Sequence, residues 1–359
     1  MPGKFVEMPL SELDLNDSFF DSLKQDYPEF PSWFEKKAVE GRLGLVFKDE
    51  QGLGAFVSLK QECEQLDLIQ GSLPAIPRLK ISTLRLAERY RGQRLGEGAL
   101  GLILWKWQKS KLAEIYLTVF PKQIELIQQL ERFGFHSAGN NGRGELVLLR
   151  SRNDINYSDP YKSFPFILPN FKKGGYLIID DTYHDTLFPY SELKNTLQDG
   201  LAIDAANGVS KVYVGNQWQV HYNVGEPVFI YRKYTGESGK RYKSCITSYC
   251  VTTDILAVKR NWKANMTFEQ LCESIRNKSI FNQNDLWEKY QNDKNLTVIH
   301  LLYYGYFGSG NNVNMDWLSN NGLWSPSKDV YPANIQLTPQ QCNDIWNQGN
   351  IDTSNIILG

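Results

Sequence analysis

Residues 79–86 alternate between apolar and polar side chains, residues 99–107 are apolar at helical spacing, and between them runs Arg91, Gly92, Gln93, Arg94, Leu95, Gly96, Glu97, Gly98. This order predicts a strand that feeds a glycine-rich turn, which in turn opens a helix. Such a turn points several backbone N–H groups at one spot, and the helix dipole adds partial positive charge there, so a diphosphate fits. Gly92, Gly96 and Gly98 allow a close approach because no Cβ intervenes. The turn lacks the Lys-Ser/Thr of a phosphate loop and the spacing of a dinucleotide fingerprint, so neither a nucleotide triphosphatase nor a dinucleotide fold is indicated.

The surrounding order narrows the choice. Residues 115–119 read as a second strand ended by Pro121, and residues 124–133 read as a helix with an apolar stripe at Ile124, Ile127, Leu130 and Phe133. Gly134 and Phe135 close that helix, and residues 145–149 read as a last strand. Upstream, residues 5–9 read as an opening strand, residues 18–25 and 31–40 as two short helices, and residues 43–47 and 54–59 as a hairpin around Asp49, Glu50, Gln51 and Gly52.

Gln93, Gly96 and Gly98, preceded by Arg91-Gly92, together with the downstream Gly134-Phe135 helix end, resemble the coenzyme A loop of the GNAT superfamily of acetyl-CoA-dependent N-acetyltransferases. The resemblance covers roughly the first 150 residues and is specific over residues 79–150. It implies an α/β (α+β) fold, acetyl-CoA as cofactor, and an amine acceptor. The cofactor-binding set it implies is Leu84, Leu86, Arg91, Gly92, Gln93, Arg94, Leu95, Gly96, Glu97, Gly98 and Gln123, with backbone N–H groups of residues 83–86 holding the acetyl carbonyl. Two departures from the family stand out. Leu130 occupies the place of the usual tyrosine acid, and the fourth strand carries no carboxylate. Tyr116, Thr83 and Glu62 are the candidate proton-handling residues, with Ser82 and Thr118 beside them, while His136 reads as a strand end. The departures keep open a module that binds acetyl-CoA without transferring acetyl, and a toxin or defence acetyltransferase.

At 359 residues the chain exceeds one such domain. The reading is an acetyltransferase domain over residues 1–152, a linker over 153–174 marked by Pro160, Pro165 and Pro169, and a second domain over 175–359. There, residues 175–179, 211–214, 227–231, 242–251 and 297–304 read as strands, and residues 191–197 and 267–275 as helices, the latter with Thr267 and Gln270 as a capping box. Residues 224–251 resemble the core of PUA-like domains of the ASCH and EVE groups, although Glu226-Pro227 replaces the usual aspartate. This resemblance implies a small β-barrel beside which RNA or a modified base is held. Tyr231, Arg232, Lys233, Lys240, Arg241 and Lys243 form a basic stretch interleaved with aromatics, which suits phosphates and unpaired bases; a solvated hairpin reads equally from the same residues.

The formal net charge of −1 does not announce a nucleic-acid binder. Five scattered cysteines without a Cys-x-x-Cys pair read as reduced and structural, and no metal site is expected, although Asp180, Asp181 and His184 form a dense His/carboxylate cluster. No apolar run suits a signal peptide or a membrane span, so a cytoplasmic protein is expected. Trp317 and Trp324 are expected to pin a closing segment rich in Asn, Ser and Gly. The acceptor, the acyl length and the oligomeric state are not readable from these residues.

Overall fold

The computed structural model describes residues 4–189, 204–324 and 335–358. These divide into two compact units: residues 4–103 and 110–154 form the first, and residues 104–109 with 155 onward form the second.

The first unit is built on a seven-stranded sheet. Its strands in chain order are β1 (Lys4–Pro9), β2 (Leu43–Asp49), β3 (Gly52–Glu62), β6 (Arg78–Leu86), β7 (Glu114–Val119), β8 (His136–Asn140) and β9 (Leu146–Ser151), and the order across the sheet is β1-β2-β3-β6-β7-β9-β8. A separate hairpin, β4 (Leu66–Leu68) with β5 (Gly71–Leu73), is inserted between β3 and β6. Helices α1 (Asp21–Asp26) and α2 (Phe30–Val39) cover one face, where Phe20, Phe30 and Phe34 pack with Val46 and Phe56. Helix α3 (Leu95–Ser110) follows β6, and α4 (Ile124–Arg132) follows β7. Leu95, Ala99, Leu100, Ile103, Leu104, Trp105 and Trp107 of α3 are all buried, so the helix is covered around most of its circumference, as one apolar on every side requires. Leu130 and Phe133 anchor α4, whereas Ile124, at its first position, is exposed and leaves the expected stripe one residue short.

All neighbouring strands are antiparallel except β6 and β7. These two run parallel and pair at three positions only: Arg78 with Glu114, Leu79 with Ile115, and Lys80 with Tyr116. Beyond that they separate into a fork. A β-bulge marks the place of departure: Thr83 faces Ser58 and Ile81 faces Leu59, so Ser82 is the extra residue.

The second unit contains α5 (Pro160–Ser163), β10 (Gly174–Asp180), α6 (Asp181–Leu187), α7 (Asp204–Asn207), β11 (Ser210–Gly215), β12 (Pro227–Lys233), α8 (Lys240–Lys243), β13 (Cys245–Arg260), β14 (Lys263–Ala264), α9 (Phe268–Ile275), α10 (Gln283–Asn292), β15 (Leu296–Tyr306), β16 (Val313–Asn314), α11 (Met315–Asn320), β17 (Gln336–Leu337), α12 (Pro339–Gln348) and α13 (Thr353–Ile356). Its strands pair in the order β11-β15-β13-β12-β10-β17, an open path and not the closed barrel expected from the sequence. The two ends, β11 and β17, have no pairing with each other among the described residues. The expected capping box at Thr267 is formed. Trp324 stacks on Tyr231 with ring centroids 4.4 Å apart, as a pinning residue should. The proline-rich stretch read as a linker carries fully buried Phe164, Phe166 and Ile167 within the second unit, because its aromatic content outweighs its prolines. The helix expected at 191–197 lies outside the described residues. Among the described residues no helix is long and apolar enough to cross a membrane.

Candidate functional site

The glycine turn sits at the open end of the fork, after β6 and a short 3-10 turn over Glu88–Tyr90. Gly92 and Arg94 adopt left-handed backbone angles, φ +77° and +63°, which turn the chain sharply into α3. The helix begins at Leu95, earlier than the apolar run suggested, so Gly96 and Gly98 lie in its first turn. A Cβ on Gly96 would lie 2.9 Å from Leu86 Cδ1 and 3.3 Å from Gln129 Oε1. Leu86 and Gln129 therefore pack directly on Gly96, and its lack of a Cβ lets β6 and α4 come close to the start of α3. Gln129 comes from α4 and was missed in the sequence, where it reads as a polar position on a core helix. Arg94 pairs with Glu97 at 3.0 Å, and both side chains are largely buried, so this pair shapes the turn. Arg91 is solvated, with Glu88 3.7 Å away. Gln93 donates from Nε2 to the Arg89 carbonyl at 2.7 Å. Leu84 and Leu86 lie on the part of β6 beyond its pairing with β7. Gln123 is the exposed N-cap residue of α4.

At the closed end of the fork, three strands meet on one rung: Lys60 of β3 faces Lys80 of β6, which faces Tyr116 of β7. Glu62, two residues past Lys60 on the same face, accepts a hydrogen bond from the Tyr116 hydroxyl. Its carboxylate also lies 2.8 Å from Lys60 Nζ and 3.8 Å from Lys80 Nζ. Burial works against its charge, yet Lys60, the Tyr116 hydroxyl and Lys80 outweigh that and hold the Glu62 carboxyl below the usual carboxylate range. Burial, reinforced by Glu62, pushes the Tyr116 hydroxyl far up, so it stays protonated. The arrangement is thus an ionised carboxylate held by a neutral phenol and two ammonium groups. Arg78, almost fully buried, anchors the base of the fork through Glu114 at 2.6 Å and the Pro74 carbonyl at 2.8 Å.

Of the three proton-handling candidates, the structure brings Tyr116 and Glu62 into contact and leaves Thr83 further along β6, at the bulge. Opposite Thr83, the fully buried Ser58 hydroxyl has no hydrogen-bond partner among the described residues. A serine in the middle of an apolar strand carried no signal before the bulge was known. Two further elements enclose this face. The β4–β5 hairpin packs Leu66, Leu68 and Leu73 around Tyr116, Val147 and Leu149. The α1–α2 connection reaches across the fork, with Tyr27 donating to Glu145 at 3.0 Å and Lys122 pairing with Asp26 at 2.6 Å.

In the second unit the basic stretch is engaged internally. Arg232 makes two 2.8 Å hydrogen bonds to Asp185, Lys233 pairs with Asp180 at 2.9 Å, and Arg241 pairs with Asp316. Tyr231 is buried against Trp324. Lys240, Tyr242 and Lys243 are exposed, with Lys243 Nζ 4.6 Å from the Tyr234 ring centroid. The nearby His184 is fully buried and uses both ring nitrogens, toward Asp185 at 2.8 Å and Thr247 at 2.7 Å. Asp181 accepts from Thr235 at 2.7 Å. No group of side chains suited to hold a metal ion occurs among the described residues.

No family model matches the chain, and no curated protein matches it in sequence. Solved structures similar to its N-terminal part include one described as a bacterial toxin, 16% identical, covering 43% of this chain and 93% of that one, with a TM-score of 0.33. The PaiA N-acetyltransferase of Thermoplasma acidophilum in complex with coenzyme A is 16% identical, covering 42% and 99%, with a TM-score of 0.32. A GNAT-family acetyltransferase of Listeria monocytogenes is 14% identical, covering 41% and 94%, with a TM-score of 0.32. Likeness at this level carries no statement about what this chain does.

Proposed function

We propose that the first unit is an N-acetyltransferase of the GNAT type that moves an acetyl group from acetyl-CoA to an amine. The observation that carries this reading is the fork itself: β6 and β7 are paired for three residues and then part, and β6 leads through one 3-10 turn (Glu88–Tyr90) to the glycine turn at the N-terminus of α3. An extended thioester suits such a gap, because the β7-facing edge of β6 past Lys80 has no ladder partner among the described residues. Its diphosphate suits the turn, where the place of a Cβ on Gly92 has no protein atom within 4 Å. The cofactor supplies an acetyl group on a leaving thiol; this chain's residues supply position and proton handling.

In this reading Glu62 would take the proton that the acceptor nitrogen loses as its bond to the acetyl carbon forms, and would return it to the thiolate released when the carbon–sulfur bond breaks. The Tyr116 hydroxyl and the lysines keep Glu62 ionised and oriented until then. Backbone N–H groups of β6 near Thr83 stabilise the charge on the carbonyl oxygen. A boundary near residue 152 separates this unit from a second one for which we propose a nucleic-acid or ribonucleoprotein acceptor, supported by exposed Lys240, Tyr242 and Lys243 alone.

Calorimetric titration of the purified chain with acetyl-CoA tests the reading. Binding that disappears in Gly96→Trp while the fold persists supports it. An absence of binding by the unaltered chain overturns it.

A further inference from the structure

Residues of α11 and α12 in the second unit line a cavity of about 450 Å³ that the transferase reading does not use. Its walls are Trp317, Asn321, Leu323, Asp344, Asn347 and Gln348. The helical period explains why these residues meet. Trp317 and Asn321, the C-cap residue of α11, are four apart, and Asp344 stands three and four residues before Asn347 and Gln348 on α12, so each set shares one helix face. The volume falls within the range of small-molecule sites, about 300–1,000 Å³.

The walls are held from behind. Leu318 of α11 and Cys342, Ile345 and Trp346 of α12 are buried. Helix α11 opens on Asn314, whose side chain accepts from the Trp317 N–H at 2.9 Å, and α12 opens on a capping box between Thr338 and Gln341. Leu323 is fixed at both ends: its N–H donates to the Leu318 carbonyl and its carbonyl accepts from the Tyr176 hydroxyl, each at 2.8 Å. A site carried on helices packed and capped in this way is formed before any ligand arrives.

The lining offers one indole, three carboxamides and one carboxylate, with no cationic side chain among the described residues that form it. Asn321 commits one N–H to the Trp317 carbonyl at 2.8 Å, and one Asp344 oxygen accepts from Gln340 at 2.8 Å, which leaves Asn321 Oδ1 and Asp344 Oδ2 to a ligand. Asn347 and Gln348 are exposed, and their side chains hold no hydrogen bond to another described residue. A phosphate or carboxylate ligand finds no counter-charge here and meets Asp344. A wholly apolar ligand strips water from four polar side chains without replacing their hydrogen bonds. The hydroxyls of a sugar each donate and accept, as carboxamides do, and the C–H face of its ring, slightly positive, suits the negative face of an indole. We propose that this cavity binds a neutral sugar, with Trp317 as the stacking surface and Asn321, Asp344, Asn347 and Gln348 pairing with the hydroxyls. The proposal is independent of the transferase reading.

Saturation-transfer NMR of the full chain with methyl β-glucoside, maltose and N-acetylglucosamine, titrated to about 50 mM, tests this. The expected result is saturable binding of at least one of the three, with a Kd between about 10 µM and about 10 mM. Trp317→Ala is expected to weaken it by about 10-fold. Asn347→Ala and Gln348→Ala, at exposed positions where circular dichroism should remain that of the parent, are each expected to weaken it by about 5-fold. Trp218→Ala removes another exposed tryptophan of the same unit and should leave binding unchanged. Failure of all three sugars to bind overturns the proposal, as does binding that is undiminished in the Trp317, Asn347 and Gln348 variants. Saturable binding of adenine or uracil by a chain that ignores the sugars overturns it in favour of a nucleobase pocket.

Discussion

The Tyr116 hydroxyl of β7 donates a hydrogen bond to the Glu62 carboxylate at the last position of β3, and so spans the β6 strand that lies between them. The contact sits where β6 and β7 are still paired, just below the point at which they part. In the proposed transfer the Glu62 carboxylate accepts the proton as a weak base, because the groups that hold it ionised also lower its proton affinity.

Replacing Glu62 by Gln is therefore expected to lower acetyl transfer by roughly 10²- to 10⁴-fold with little change in acetyl-CoA affinity. Steady-state kinetics with a panel of small amines, alongside calorimetry, separates the two effects. Loss of binding and rate together would assign Glu62 to structure alone.

Tyr116→Phe removes a donor from the ionised form of Glu62, which raises the Glu62 pKa. A base must be unprotonated to act, so the acidic limb of the pH–rate profile is expected to move to higher pH. The same variant should unfold at lower urea concentration, with a loss of about 1.5–3 kcal/mol in stability, because a buried hydrogen bond to a charged group is lost. An unmoved acidic limb would remove Glu62 from the titration.

Gly96→Ala and Gly96→Trp should differ. The groups that a Cβ meets are the ends of the flexible Leu86 and Gln129 side chains, so alanine is accommodated by a small shift. Tryptophan overfills the space that Leu86 and Gln129 already occupy, and is expected to weaken acetyl-CoA binding by at least about 10-fold at a cost of about 1–3 kcal/mol in stability. Isothermal titration and differential scanning fluorimetry on the same preparations check this.

In the second unit, burial lowers the His184 pKa, against the opposing pull of Asp185. Its imidazole is then neutral in the folded chain and binds a proton on unfolding. The unfolded state thus carries more protons as the pH falls below about 6.5, and stability decreases there. His300 is lowered by the same cause and acts with the same sign. Urea midpoints measured from pH 7 to pH 5 are expected to fall, and His184→Gln should flatten the decline only in part. An unchanged slope would show that His184 does not titrate between the two states.

Thr267→Ala breaks the capping box at the start of α9, where the Thr267 hydroxyl accepts from Gln270 N–H at 3.2 Å. A cost of about 1 kcal/mol is expected in equilibrium unfolding. No such cost would mean that the exposed first turn of α9 frays in the parent as well.

The sequence by itself determined the local elements that carry their own period or punctuation. The strand, glycine turn and helix around residues 79–107 were legible because alternation, left-handed glycine and helical spacing are properties of adjacent residues, and the structure places β6, the turn and α3 there. The Thr267 capping box was legible for the same reason. What only the tertiary structure decided depends on partners far apart in the chain. Tyr116 and Glu62 were separate candidates until the sheet brought residues 54 positions apart into contact. Ser58 and Gln129 had no signal at all until the bulge and the packing of α4 were known. Part of the basic stretch is engaged for the complementary reason: Arg232 and Arg241 find carboxylates 47 and 75 positions away, at Asp185 and Asp316. A run of like charge in one segment records its demand for counter-charge, and only the folded chain decides whether a ligand or the protein itself meets it.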